Sequence, residues 1–254
     1  MNPQILDKIR EKRELSQLPK KDIELAYAQF EKRQASEEEK IKLTRELLRT
    51  TFSAFISKKL LSLKNKEPEW ILRKHISTRE RLPYYSEIYS RIFQDYKKAS
   101  VIDLGAGING FSFDFFKKSG VNVDYTGIES VGQLTELMNF YFQLNKLNAE
   151  AIHLSLFDKE KVKQIIEKTK KPRVIFLFKV IDALESLKWN YSKELISEIA
   201  PLSDKIVVSF ATKSLGSREK FKVKRNWIID FIAENFQILD NFEVGGERYI
   251  AFKR

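Results

Sequence analysis

The stretch Val101-Ile102-Asp103-Leu104-Gly105-Ala106-Gly107-Ile108-Asn109-Gly110 joins an apolar run to a Gly-x-Gly turn. The next apolar run, Tyr125-Thr126-Gly127-Ile128-Glu129, ends in an acid. A buried strand that breaks into such a turn lets a ligand lie against backbone that no side chain would allow so close. An acid closing the following strand can accept hydrogen bonds from two ribose hydroxyls. Dinucleotide folds share this layout, but they aim a helix N-terminus at a pyrophosphate. Here Asn109 precedes the third glycine, Gly110, and no basic residue stands nearby for phosphate. Asp-x-Gly-x-Gly with an acidic strand end suits a cofactor with a ribose and no phosphate, and S-adenosylmethionine (SAM) is the expected one. The competing reading is a glycine-rich strand–helix turn that binds nothing.

Other chemistries are limited by composition. The chain has 254 residues, 43% of them hydrophobic, enough for one large domain or a core domain with an appendage. The absence of cysteine removes disulfides, thiolate nucleophiles and cysteine zinc sites, and two histidines, His75 and His153, make a histidine metal centre unexpected. No metal is expected. The 32% charged content without cysteine has a thermophile-like cast. No apolar run approaches a membrane span, and the first residues are too charged for a signal peptide. A cytoplasmic protein, monomeric and without membrane contact, is expected.

The net charge of +11 is unevenly placed. Residues 1–98 hold 23 Lys/Arg against 15 Asp/Glu, and residues 99–254 hold 23 against 20. An excess of +8 on the first part suggests an appended electrostatic surface for a polyanion, or a merely soluble helical face.

The sequence pattern also changes near residue 98. Apolar residues recur at helical spacing before it, with Ser36-Glu37-Glu38-Glu39 reading as a capping box for a long helix that reaches Leu60. Glu67-Pro68 interrupts the pattern, and Thr78 to Phe93 is helical again with Pro83 in its first turns. After Lys98, strands predicted at 100–104, 122–128, 150–155, 173–178 and 205–210 alternate with helices at 111–119, 131–146, 158–169 and 182–199. A helix near 219–235 then precedes two strands, 236–242 and 248–252, joined through Glu243-Val244-Gly245-Gly246-Glu247. The expected fold is α/β: a Rossmann-like SAM-dependent methyltransferase core (99–254) with a C-terminal β-hairpin, preceded by an all-helical domain (1–98).

Four blocks carry a family resemblance. His75-Ile76-Ser77-Thr78-Arg79-Glu80-Arg81 resembles the His-x-Ser-Thr-x-Glu-Arg segment of the aminoglycoside-resistance ribosomal RNA methyltransferases. Asp103 to Asn109 is similar to their Asp-x-Gly-Cys-Gly-x-Asn, and Phe176-Leu177-Phe178-Lys179 to their strand ending in Leu-Leu-Lys. Val208-Ser209-Phe210-Ala211-Thr212-Lys213-Ser214-Leu215 is similar to their Val-Ser-Phe-Pro-x-Lys-Ser-Leu. The chain departs from the family at Gly110, where a proline is usual, in Phe221 to Trp227, and at Gly246-Glu247-Arg248 in place of Asn-Glu-Leu.

The resemblance implies methylation of small-subunit rRNA at guanine N7 near the decoding site. That nitrogen offers an in-plane lone pair and carries no proton, so the reaction requires positioning and no general base. No catalytic residue is therefore expected. Without cysteine the covalent route to pyrimidine C5 is closed. Two other readings stay open: a methyltransferase for another RNA position or substrate, and a non-catalytic RNA-binding or ribosome-assembly factor with a retained SAM fold.

The expected cofactor set is Arg81, Asp103, Gly105, Ala106, Gly107, Glu129, Phe157, Asp158, Phe178 and Lys179. Glu129 takes the ribose, and Arg81 faces the methionine carboxylate. Asp103 either meets the methionine amino group or braces the turn. Phe157-Asp158 lies near the adenine, with Asp158 alternatively a helix N-cap. Lys179 sits at the strand edge with no assigned role, and His75 is structural. The basic run Lys213, Arg218, Lys220, Phe221, Lys222, Lys224 and Arg225 is the expected RNA-binding set, or else a solvated helix face. Trp227 is expected in the core. Deleting residues 1–70 is expected to cost RNA affinity and spare SAM affinity.

Overall fold

A computed structural model describes residues 1–53, 57–62, 65–212 and 225–254. The N-terminal part is helical: α1 (Pro3–Arg10), α2 (Lys20–Glu31), α3 (Glu37–Leu48), α4 (Pro68–Leu72), α5 (Ile76–Arg81) and α6 (Tyr85–Ile92). Ser36 caps α3 as its sequence predicts, its Oγ accepting from the Glu39 N–H at 3.2 Å. The long helix expected to reach Leu60 stops earlier. After Leu48 the chain makes a π-helical turn over Arg49–Ser53, and a single 3-10 turn follows at Lys58–Leu60. The hydroxyls of Thr50 and Thr51 donate back to the carbonyls of Glu46 and Leu47, and such bonds loosen a helical ladder. The Thr78–Phe93 helix is likewise two pieces, α5 and α6, separated at Pro83, which cannot sit inside a continuous ladder.

The remainder alternates as predicted. β1 (Lys98–Leu104), β2 (Asn122–Glu129), β3 (Ala149–His153), β4 (Arg173–Phe178), β5 (Lys205–Ala211), β6 (Gln237–Val244) and β7 (Glu247–Lys253) form one sheet in the order β3-β2-β1-β4-β5-β7-β6. Strands β1 to β5 are mutually parallel, and β7 enters antiparallel between β5 and β6. Gly245 and Gly246 form the hairpin turn with φ of +63° and +81°, the left-handed pair that a two-residue turn needs. Every residue from Ala99 to Leu104 is buried, so β1 shows no alternation of exposed and buried positions.

The connecting helices are α7 (Phe113–Lys118), α8 (Gly132–Leu144), α9 (Lys159–Lys168), α10 (Ile181–Leu187), α11 (Tyr191–Ile199) and α12 (Asn226–Asn235). The single helix expected over 182–199 is α10 and α11, broken where Asn190 takes φ +63°. On α12, Ile228 and Ile232 are fully buried, whereas Trp227 is only half-buried at the edge of the core.

The helical part is no detached appendage. Ile9, Leu15, Ile23, Leu48, Tyr85 and Tyr89 belong to the same apolar cluster as the sheet. Tyr89 stacks on Phe116 at 4.1 Å, and Lys205 of β5 donates to the Ile92 carbonyl at 2.8 Å. Residue 98 thus marks a change of pattern within one shared core. Among the described residues, no helix is long and apolar enough to cross a membrane, and no side-chain group is arranged to hold a metal ion.

Candidate cofactor site

The chain leaves β1 through Gly105 and Gly107, whose φ angles of +74° and +55° lie in the region glycine occupies cheaply. A Cβ on Gly105 would come within 2.5 Å of Val180 Cγ2. The N–H groups of Gly105 and Ala106 donate to the Ile128 carbonyl at 2.9 and 3.0 Å, which ties the turn to β2. One residue on, Glu129 is buried and both its oxygens are engaged. Oε2 accepts from Gly107 N–H at 2.7 Å, and Oε1 from Val131 N–H at 2.8 Å. Burial outweighs these two bonds and pushes its carboxyl up to about 7.

The turn and Glu129 border a cavity of about 330 Å³ at the C-terminal ends of the strands, beside the switch point between β1 and β4 where the strand order reverses. Its walls come from three regions: Leu156 and Phe157 after β3, Phe178 to Val180 with α10 after β4, and helix α5 with the Thr50–Phe52 turn from the N-terminal part. Thr51 Oγ1 and Ser186 Oγ are 3.0 Å apart, and Gln29 donates to the Ser186 carbonyl at 2.8 Å, closing that wall onto α10.

A buried charge network forms the end of the cavity near β5. Arg81 donates to both oxygens of Glu247, at 2.9 and 3.3 Å, and to Asn109 Oδ1 at 3.2 Å. Lys179, at φ +55°, places Nζ 3.2 Å from Glu247 and 2.8 Å from Glu80. Burial alone would raise the Glu247 carboxyl, but the Arg81 and Lys179 charges hold it below its ordinary value. His75 lies beside Gly107, and burial together with those two cations pushes its imidazole down to about 4, so it is neutral at physiological pH.

Residues 62–234 match the model of the family described as ribosomal RNA methyltransferase (FmrO). The chain belongs to this family. A 16S rRNA (guanine(1405)-N(7))-methyltransferase of Proteus mirabilis is 25% identical over 197 residues, covering 72% of this chain and 64% of that protein. The enzyme of the same name from Micromonospora echinospora is 30% identical over 150 residues, 58% of this chain and 50% of its own. The chain therefore spans between half and two thirds of the length of these relatives. The crystal structure of 16S rRNA methyltransferase RmtF with S-adenosyl-L-homocysteine superposes with a TM-score of 0.80 at 21% identity, covering 100% of this chain and 99% of that one. RmtB gives 0.77 at 17%, covering 99% and 97%. The shared fold thus includes the N-terminal helices as well as the sheet.

Within this family member, nine of the ten residues expected at the cofactor line the cavity: Arg81, Asp103, Gly105, Ala106, Gly107, Glu129, Phe157, Phe178 and Lys179. Asp158 does not. Its carboxylate turns outward to Lys161 at 2.8 Å and Lys21 at 4.0 Å, while Phe157 turns inward and packs on Tyr191. Nor does Asp158 cap α9 through its side chain. Asp103 braces the turn, its Oδ2 accepting from Asn109 Nδ2 at 2.7 Å and Tyr125 OH at 2.8 Å.

Arg225 departs from its expected place on the RNA surface. It is buried, bidentate to Asp182 at 2.6 and 3.1 Å, and donates to the Ala211 carbonyl at 3.0 Å. Arginine suits such a position because its planar fork matches a carboxylate. Lys213, Arg218, Lys220, Phe221, Lys222 and Lys224 lie outside the described residues.

The expectation that residues 1–70 are dispensable for SAM also changes. Thr50 to Phe52 form part of the cavity wall, and Asp22 is fully buried, accepting from Ser155 Oγ. The site residues that sequence reading missed are Glu247, Glu80, Asn109 and the Thr50–Phe52 turn. A Gly-Gly-Glu hairpin tip reads as solvated charge. The only signal for Glu247 was its counterpart in the family's Asn-Glu-Leu.

Proposed function

We propose that this chain is a SAM-dependent methyltransferase acting on small-subunit ribosomal RNA at guanine N7 near the decoding site. It works as a cytoplasmic monomer on the rRNA or the assembled subunit. One observation carries the cofactor reading: the buried Glu129 carboxylate, pinned by the Gly107 and Val131 N–H groups, on the rim of a cavity floored by a turn that leaves Gly105 no room for a side chain. Each Glu129 oxygen keeps a lone pair for a ribose hydroxyl. The cavity lies within the span of about 300–1,000 Å³ usual for small ligands. Arg81 and Lys179 stand together at one end, where a methionine carboxylate fits, and the planar ring of Phe178 lies beside them.

Bound SAM supplies a methyl group on a sulfonium. The protein's task is to hold an acceptor in line, to exclude water and to leave an unprotonated nucleophile alone. A neutral His75 and a Glu247 carboxylate held by Arg81 and Lys179 fit a site that moves no proton. The family model and the named relatives support rRNA as the acceptor, and the +8 charge of residues 1–98 supports docking on it.

In titration calorimetry, Glu129→Ala is expected to weaken SAM binding by roughly 1–3 kcal/mol, the range for losing a charged hydrogen-bond partner. Unchanged affinity removes Glu129 from the site. The raised carboxyl adds a pH signature of two opposite signs. Because its folded value of about 7 lies above the ordinary 4.5, its contribution to the stability of the free protein is present below pH 4.5 and fades as pH rises through 7. SAM affinity is expected to rise over the same interval, since ribose hydroxyls donate best to the ionised form. Glu129→Gln should flatten both curves. Mass-spectrometric mapping of small-subunit rRNA after incubation with the protein and SAM tests the target, and an unmodified guanine N7 there would reject it.

A further inference from the structure

We propose that Trp189 and Trp227 form a stacking platform for an unpaired base of the RNA substrate, on the rim of the cofactor cavity. The proposal rests on the rRNA reading above and assigns that partner a contact surface. Trp189 is 82% exposed, the most exposed large apolar side chain among the described residues. It is presented by a fixed loop. Glu185 accepts from the Asn190 N–H at 2.5 Å and the Ser192 N–H at 2.8 Å, and Asn190 takes the left-handed conformation that asparagine tolerates. The indole packs on Trp227 with ring centroids 6.4 Å apart and planes 29° from parallel. Trp227 is anchored on α12 against the core.

Both tryptophans stand two residues from the cavity wall, Trp189 from Leu187 and Trp227 from Arg225. Two residues of chain span at most about 7 Å, which sets the pair at the cavity's edge. Lys193 Nζ lies 5.6 Å from the Trp227 ring and 5.4 Å from Phe231. An open aromatic face with a cation beside it accepts any base by stacking and any phosphate by charge. A protein partner would call for a contiguous apolar patch, whereas exposed Lys188 and Asn190 flank Trp189. The net charge of +11 likewise favours a polyanion.

The test uses the full chain, purified small ribosomal subunits and filter binding across a salt series. Trp189→Ala is expected to weaken subunit binding by roughly 5- to 150-fold, the range for one lost base stack, and Trp189→Phe to recover most of it. The slope of log affinity against log salt should not change, because no phosphate contact is removed. SAM affinity and melting temperature should also hold, since the side chain is exposed and outside the cavity wall. Trp189→Ala binding as tightly as the wild type overturns the platform, as does a weakened variant with a flattened salt slope. A wild-type dimer in sedimentation that Trp189→Ala dissociates would make the patch a contact between copies of this chain and would also overturn it. A wild-type protein that does not bind subunits at all would overturn the rRNA reading itself.

Discussion

Glu247→Ala is expected to destabilise the fold by about 3–5 kcal/mol, the cost of leaving a buried charge without its partner. Arg81 and Glu247 are both almost wholly buried, with side-chain exposures of 2% and 3%. Without the carboxylate, Arg81 keeps its bond to Asn109 and Lys179 its pair with Glu80, but both cations face the gap that the carboxylate leaves. Urea unfolding measures the loss. The surface pair of Arg91 and Asp240 provides the contrast, since Arg91 is 45% exposed and solvent screens it, so its replacement by alanine should cost far less. Replacing Arg81 and Glu247 together by Met and Leu should recover part of the stability and none of the SAM binding. A Glu247→Ala protein as stable as the wild type would mean that water reaches and screens the network.

Gly105→Ala is expected to remove measurable SAM binding and to cost about 2–5 kcal/mol of stability. Two terms add. An L-residue held at φ +74° costs roughly 1–2 kcal/mol. A Cβ placed 2.5 Å from Val180 Cγ2 forces a shift worth about 1–3 kcal/mol more. Gly120 separates the terms, because it sits at φ +76° with nothing within 4 Å of its added Cβ. Gly120→Ala should therefore show the conformational term alone, with SAM affinity intact. Combining Gly105→Ala with Val180→Ala should relieve the contact term and leave the strain. Equal losses in the Gly105 and Gly120 variants would refute the packing argument.

The features legible in the sequence are those that neighbours along the chain decide. A buried parallel strand is rich in apolar residues, and turns at positive φ, two-residue hairpin turns among them, favour glycine. Gly105, Gly107, Glu129, the strand–helix alternation and the Gly245-Gly246 hairpin all follow from such local requirements. So does the Ser36 cap.

What only the tertiary structure decided is which way the charged side chains turn and which distant segments meet. Asp158 and Phe157 are adjacent, yet a strand end feeding a helix sends one to solvent and the other to the cavity. Arg225 sits in a run of cations that reads as a phosphate surface, and Asp182, 43 positions away, draws it inward. Glu247 meets Arg81 across 166 positions because the antiparallel register sets it against Ala211 at the end of β5. The Thr50–Phe52 turn becomes cavity wall only when the helical part packs on the sheet. An ion pair stabilises through distance and burial, and neither is a property of a sequence interval. The local pattern could therefore announce the glycine turn after β1 and the acid that closes β2, while the charges around them were settled by the packing of the whole chain.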